Sequence, residues 1–105
     1  MVQEKALRYN EGKPALSYIL TFYKALVGVA EVCMYGEQKY EKWNYLKGGE
    51  VTQYINAGLR HLGKYFNGED IDPESGKHHL DHVNWNFLMA RQMCEDYDDR
   101  PKNSY

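Results

Sequence analysis

Cysteine is scarce in this chain: Cys33 and Cys94 are the only two in 105 residues, they stand far apart, and both sit in apolar, helical surroundings. A disulfide framework is excluded, and buried free thiols in a reducing compartment, the cytoplasm, are expected. Net charge is also small, -2 with a pI near 6.1. No basic field exists to attract a phosphate backbone, so duplex nucleic acid is not an expected partner. No apolar run approaches the roughly 20 residues needed to cross a bilayer, and the N-terminal residues are charged, so neither a membrane span nor a signal peptide is expected. Alternating β-branched runs and internal repeats are missing too. The expected fold class is therefore all-α.

Familiar catalytic signatures are equally absent. There is no glycine-rich phosphate loop, no G-x-S-x-G elbow, no H-E-x-x-H, and no cysteine beside a histidine. Helical pyrophosphohydrolases of the MazG type hold magnesium with E-E-x-x-E and E-x-x-D; Glu31, Glu37 and Glu41 are too widely spaced to reproduce that.

What is present is a helical pattern. Residues 1–13 read as a leading arm ending in the turn Asn10-Glu11-Gly12-Lys13-Pro14. Leu16, Ile19, Leu20, Tyr23, Leu26, Val27, Ala30, Cys33 and Met34 then form an apolar stripe that predicts a helix to about Tyr40, with Ser17 as N-cap and Gly28 and Gly36 as weak points. Trp43 to Gly49 reads as a loop. Val51, Tyr54, Ile55, Gly58, Leu62 and Tyr65 predict a second helix closed by Asn67-Gly68, with Gly58 and Gly63 permitting close helix approach. A third begins after Asp72-Pro73 or after Ser75-Gly76, carries Leu80, Val83, Phe87, Leu88 and Met93, and fades near Tyr97 into a polar tail, 98–105. One domain, a small bundle of three main helices, follows, and its limited core favours completion by a homo-oligomer.

Polar chemistry is concentrated between Arg60 and Asn86. His79, His82 and Asn86 share one face of the third helix, at i, i+3 and i+7. Paired histidines at this spacing can chelate a metal, with Asp70, Asp72 or Glu31 adding oxygen ligands; equally, they can hydrogen-bond carboxylates and tyrosines with no metal. Asp70, Asp72 and Glu74 alternate as a calcium loop begins, but Gly76 falls one place late and Pro73 stiffens the turn, so helix capping is preferred. Arg60, Arg8 and Lys13 can grip phosphate oxygens, or Arg60 can pair with Glu31 or Asp81. Ten tyrosines, two tryptophans and three phenylalanines supply faces on which a base can stack, although many must be core.

The strings RYNEGKPALS, AEVCMYGEQKY, NYLKGG, LRHL, NGEDIDPESG and HLDHVNWN, in this order over residues 8–90, resemble a mostly phage-encoded family, the dATP/dGTP diphosphohydrolase N-terminal domain. The resemblance implies a purine nucleotide ligand and hydrolysis of a phosphoanhydride. It also implies a pocket lined by Arg8, Lys13, Glu31, Tyr35, Lys39, Asn44, Arg60, His61, Asp70, Asp72, Glu74, His79, His82 and Asn86. Asn44-Tyr45 departs from the family's usual Asn-Trp. The family forms the first part of longer proteins, whereas this chain stops soon after the motifs, so no later segment is expected to supply metal-binding carboxylates.

Two functional classes follow. In the enzyme reading, His61, Asp70, Asp72, His79 and His82 hold magnesium or another divalent metal, Arg60 and Lys13 hold phosphates, and Glu31 or Asp81 orients water. In the binding reading, Arg8, Lys13, Tyr35, Lys39, Asn44, Tyr45, Arg60, His61, His79, His82, Trp85 and Asn86 enclose a purine nucleotide or a nucleotide-derived small molecule, no cofactor is required, and nothing is cleaved. Small phage sponges that sequester bacterial defence messengers are similar in size and aromatic richness. Binding is preferred because no metal-carboxylate cluster can be assembled from the sequence. A structural or regulatory helical protein ranks last.

Overall fold

In the computed structural model, which describes residues 4–102, three long helices carry the molecule: α1 (Tyr23–Lys39), α2 (Val51–Phe66) and α3 (His79–Gln92), with a short α4 (Cys94–Tyr97) behind them. The outer ends of the expected arm and tail lie outside the described residues. Among the described residues there is no strand, only an isolated bridge between Ile71 and His78, so the all-α class holds.

Helix packing turns on two glycines. A Cβ at Gly58 would stand 2.5 Å from the Phe87 ring, and one at Gly28 would stand 2.1 Å from the Asp81 carboxylate, so α2 and α1 each meet α3 backbone-close at these points. Gly28 is thus the contact point of α1 with α3. Gly63 has nothing within 4 Å and permits no approach, contrary to expectation.

The expected apolar stripe of the first helix is not its core face. Gly28 and Val32 are the buried residues of α1, while Leu20 and Tyr23 are 65% and 68% exposed. Residues Leu16–Phe22 form a 3-10 segment with no buried residue, opened by Ala15 without a side-chain cap, so Ser17 lies inside the turn rather than at its start. With nothing packed against it, this segment lacks the tertiary support that normally stabilises an α-helix. Taken together, Leu16–Lys39 is long and apolar enough, by length and composition alone, to cross a bilayer, against the expectation that no such run exists.

The N-terminus of α3 is also set differently. His78 is the N-cap, its Nδ1 accepting the Leu80 N–H at 3.0 Å. Asp72 cannot cap the helix because its carboxylate accepts from the Glu74 and Ser75 N–H groups, while Gly76, at φ 72°, donates to the Asp72 carbonyl. The expected Asn67-Gly68 stop does occur, with Gly68 at φ 97°. On α3 the buried face is His79, His82, Val83, Asn86, Met89 and Ala90, while Leu88 is 59% exposed.

The chain is extended for its mass. Its radius of gyration is 18.3 Å, where about 13 Å suits a compact domain of this length. Its accessible surface is 9018 Å², against about 6,100 Å² for a compact monomer of this mass.

Candidate functional site

The loop between α2 and α3 folds back so that histidines from both helices meet. The Ile71–His78 bridge and the hydrogen bond from His79 N to the Asp70 carbonyl, 2.8 Å, close this loop against α3. His79, fully buried, lies 2.7 Å through Nε2 from Glu69 and 2.8 Å through Nδ1 from Nδ1 of His61. Where His79 Nε2 donates to Glu69 and its Nδ1 accepts from the His61 Nδ1–H, His61 Nε2 is left with a lone pair. The His61 and His82 rings stack, with centroids 4.1 Å apart and planes 4° from parallel.

The environment of these groups sets their charge. Burial, then the neighbouring His82, holds the His61 imidazole down to about 4. Burial likewise lowers His82, against the opposing pull of Asp72. Both rings are neutral near pH 7, so the 3.6 Å approach of His82 Nε2 to Asp72 is a polar contact rather than an ion pair. Burial pushes the Asp72 carboxyl up, but hydrogen bonds from Ser75 and from the Glu74 and Ser75 backbone outweigh it, and the group ends below its ordinary value. Ser75 Oγ stands 2.7 Å from His82 Nε2.

His61, Asp72 and His82 floor a cleft of about 300 Å³ whose walls are Tyr35, Lys39, Arg60, Lys64 and Glu74. Lys39 and Tyr35 both reach Glu74, at 3.2 and 3.4 Å. Arg60 and Lys64 make no ion pair among the described residues. A second cavity, of about 360 Å³, lies against a different face of α1, between Tyr40, Tyr45, Tyr54 and Trp85. A third, open groove of about 650 Å³ holds Glu31 and Asp81.

The family model described as dATP/dGTP diphosphohydrolase, N-terminal, matches residues 3–100. The chain belongs to this family. A protein named dATP/dGTP diphosphohydrolase from Salmonella phage PMBT28 is 33% identical over 77 residues, 73% of this chain and 26% of that protein. The chain therefore spans about a quarter of the relative it matches. No solved structure matches.

Within this family member, the residues singled out from the sequence separate. Tyr35, Lys39, Arg60, His61, Asp72, Glu74 and His82 share the charged cleft, whereas Asn44, Tyr45 and Trp85 line the aromatic cavity. His79 stands behind His61, and buried Asn86 donates to the His82 carbonyl at 2.8 Å; both support the cleft from beneath. Arg8 and Lys13 are exposed on the arm and line none of the three cavities; Asp70 is exposed and contributes its backbone carbonyl. Glu31 pairs with Lys77 at 3.8 Å, and it lies with Asp81 in the open groove beside His78, so neither lines the cleft of His61, His82 and Arg60. Lys64, Ser75 and Glu69 escaped the sequence reading. Lys64 was findable, since it follows His61 by three positions on the same helix face.

Ligand atoms of His61, Asp72 and His82 all lie within 4.8 Å of one another. Two neutral imidazoles and an ionised carboxylate are the right donors for a divalent ion. Their orientation does not fit one. Lone pairs lie in the ring planes, and two planes 4° from parallel in a stack of 4.1 Å cannot converge on a single ion unless a ring turns.

Proposed function

We propose that this chain binds and retains a purine nucleotide or a nucleotide-derived small molecule, with its phosphate oxygens in the charged cleft. The observation that carries the reading is that Arg60 and Lys64 of α2 and Lys39 of α1, the last paired with Glu74, line one cleft floored by neutral His61 and His82. Arg60 offers a bidentate fork and the two lysines point charges, and the neutral imidazoles add N–H donors or lone pairs without a competing charge. The stacked, hydrogen-bonded histidines suit holding a ligand better than gathering a metal. In a phage, acting in the host cytoplasm, such retention would sequester a nucleotide-derived defence messenger.

A second reading, metal-dependent hydrolysis of dATP or dGTP, is favoured by one observation, the proximity of His61, Asp72 and His82. Incubating the protein with purine nucleotides and cyclic or ADP-ribose-derived messengers, with magnesium or manganese, then denaturing it and chromatographing the supernatant, separates the two. Depletion followed by recovery of intact ligand is the expected result. Conversion of dATP or dGTP to a monophosphate would replace sequestration with hydrolysis.

The same reading includes a second copy of the chain. Leu16, Tyr18, Leu20 and Phe22 are each at least 64% exposed, and the surface of one chain in excess of a compact monomer's is more than the roughly 1,000 Å² per partner that the smaller obligate homodimers bury.

A further inference from the structure

The aromatic cavity is not explained by phosphate binding. It is lined by carboxylates, Glu37 and Glu41, and no lysine or arginine lines it, so an anion is repelled there. Glu41 is engaged by Lys47, whereas the half-buried Glu37 carboxylate has no hydrogen-bond or ion-pair partner among the described residues. The amides of Asn44 and Gln53 open into the same space. Trp85 spends its indole N–H on Cys33 Sγ, at 2.8 Å, and meets Tyr54 edge-on with centroids 5.9 Å apart. What it offers a ligand is therefore a ring surface rather than a donor. Trp43, which immediately precedes Asn44 and Tyr45, has a φ of 63°, a left-handed conformation costly for a bulky aromatic residue.

We infer that this cavity is a base-recognition site selective for guanine over adenine, with Glu37 as the group that discriminates. A volume of about 360 Å³ falls in the range of small-molecule sites, about 300 to 1,000 Å³. Tyr40, Tyr45 and Trp85 give a planar ring faces to stack on. A carboxylate accepts only, so it pairs with the adjacent N1–H and N2–H donors of guanine through two charge-assisted hydrogen bonds. Adenine presents one donor beside an unprotonated ring nitrogen, which faces the carboxylate lone pair to lone pair. The assignment rests on the nucleotide reading only for the choice of a purine among planar nitrogen heterocycles.

The test uses nucleosides, which carry no phosphate for the cleft. Guanosine and adenosine are titrated against the intact chain with tryptophan and tyrosine fluorescence and calorimetry. Guanosine is expected to bind at least about tenfold more tightly than adenosine, Glu37→Gln to erase that preference, and Tyr45→Ala to weaken both nucleosides. Equal affinities, no saturable guanosine binding, or a preference that survives Glu37→Gln would overturn the inference. The double variant Arg60→Ala/Lys64→Ala is expected to keep the guanosine preference. If it does, while no nucleotide gains affinity from its phosphates in the parent chain, the cleft reading fails and the cavity assignment stands. If phosphates strengthen binding and the guanosine preference is absent, the cavity assignment fails alone.

Discussion

The first seven helical residues of the chain and the buried face of α3 invert the usual relation between polarity and burial. Leu16–Phe22 is rich in leucine, isoleucine and aromatic residues and has no buried member. The α3 face contains two histidines and an asparagine, each at most 7% exposed. Burial in this fold follows where backbones can approach and where polar groups can be satisfied. Gly28 and Gly58 bring α3 close to both neighbours, and every buried side-chain nitrogen or oxygen among the described residues has a partner. The charged cleft opens directly above this polar core.

Breaking the buried side of this comparison should have the largest effect. His79→Ala leaves His61 without its partner and opens a void at a fully buried position, so a loss of about 3 kcal/mol in denaturant unfolding is expected. Gly58→Ala follows, at about 1 to 3 kcal/mol, because the rigid Phe87 ring cannot yield as a flexible side chain does. Gly63→Ala, on the same helix but in open space, should instead stabilise by up to about 1 kcal/mol. A reversed order for the two glycines would refute the packing assigned to α2.

The histidine pair gives a pH dependence of definite sign. His61 and His82 are held below their ordinary values in the folded state, so the unfolded chain binds protons first as pH falls. Their contribution to stability is complete above the unfolded value near 6.5 and is lost progressively as pH drops from there toward about 4 for His61. Thermal midpoints measured from pH 7.5 to 4.5 should fall, and His61→Gln should flatten the slope. A midpoint that rises on acidification would contradict the neutral, stacked pair.

On the exposed side, the response should run through the second copy. Leu20→Glu should shift light-scattering mass from dimer to monomer, and the thermal midpoint of the parent, unlike that of the variant, should rise with protein concentration. A monomeric parent at about 100 μM would remove the second copy from the proposal, since an obligate homodimer holds together well below that.

Part of this was legible beforehand. The C-terminal ends of α1 and α2 were readable, unlike the starts of α1 and α3, because terminal signals of this kind are local: the Asn67-Gly68 stop needs only a residue that accepts a left-handed turn. The i, i+3, i+7 placement of His79, His82 and Asn86 likewise requires only helical geometry. His78 as the cap of α3 was not readable, because the choice depended on Asp72 already being committed within its own loop. Nor was the separation of Asn44, Tyr45 and Trp85 from Arg60 and His61, which depends on which face of α1 each cavity uses.

By itself the sequence determined an all-α chain, its family, and a polar segment in which recognition chemistry is concentrated, because these depend on spacing and residue type along one strand of covalent order. Tertiary structure alone decided that the leucine-rich stripe of the first helix would stay outside while histidines went inside. The reason is physical: burial depends on which surfaces fit together, and at Gly28 and Gly58 the absence of a side chain, rather than the presence of an apolar one, selected the faces that meet α3.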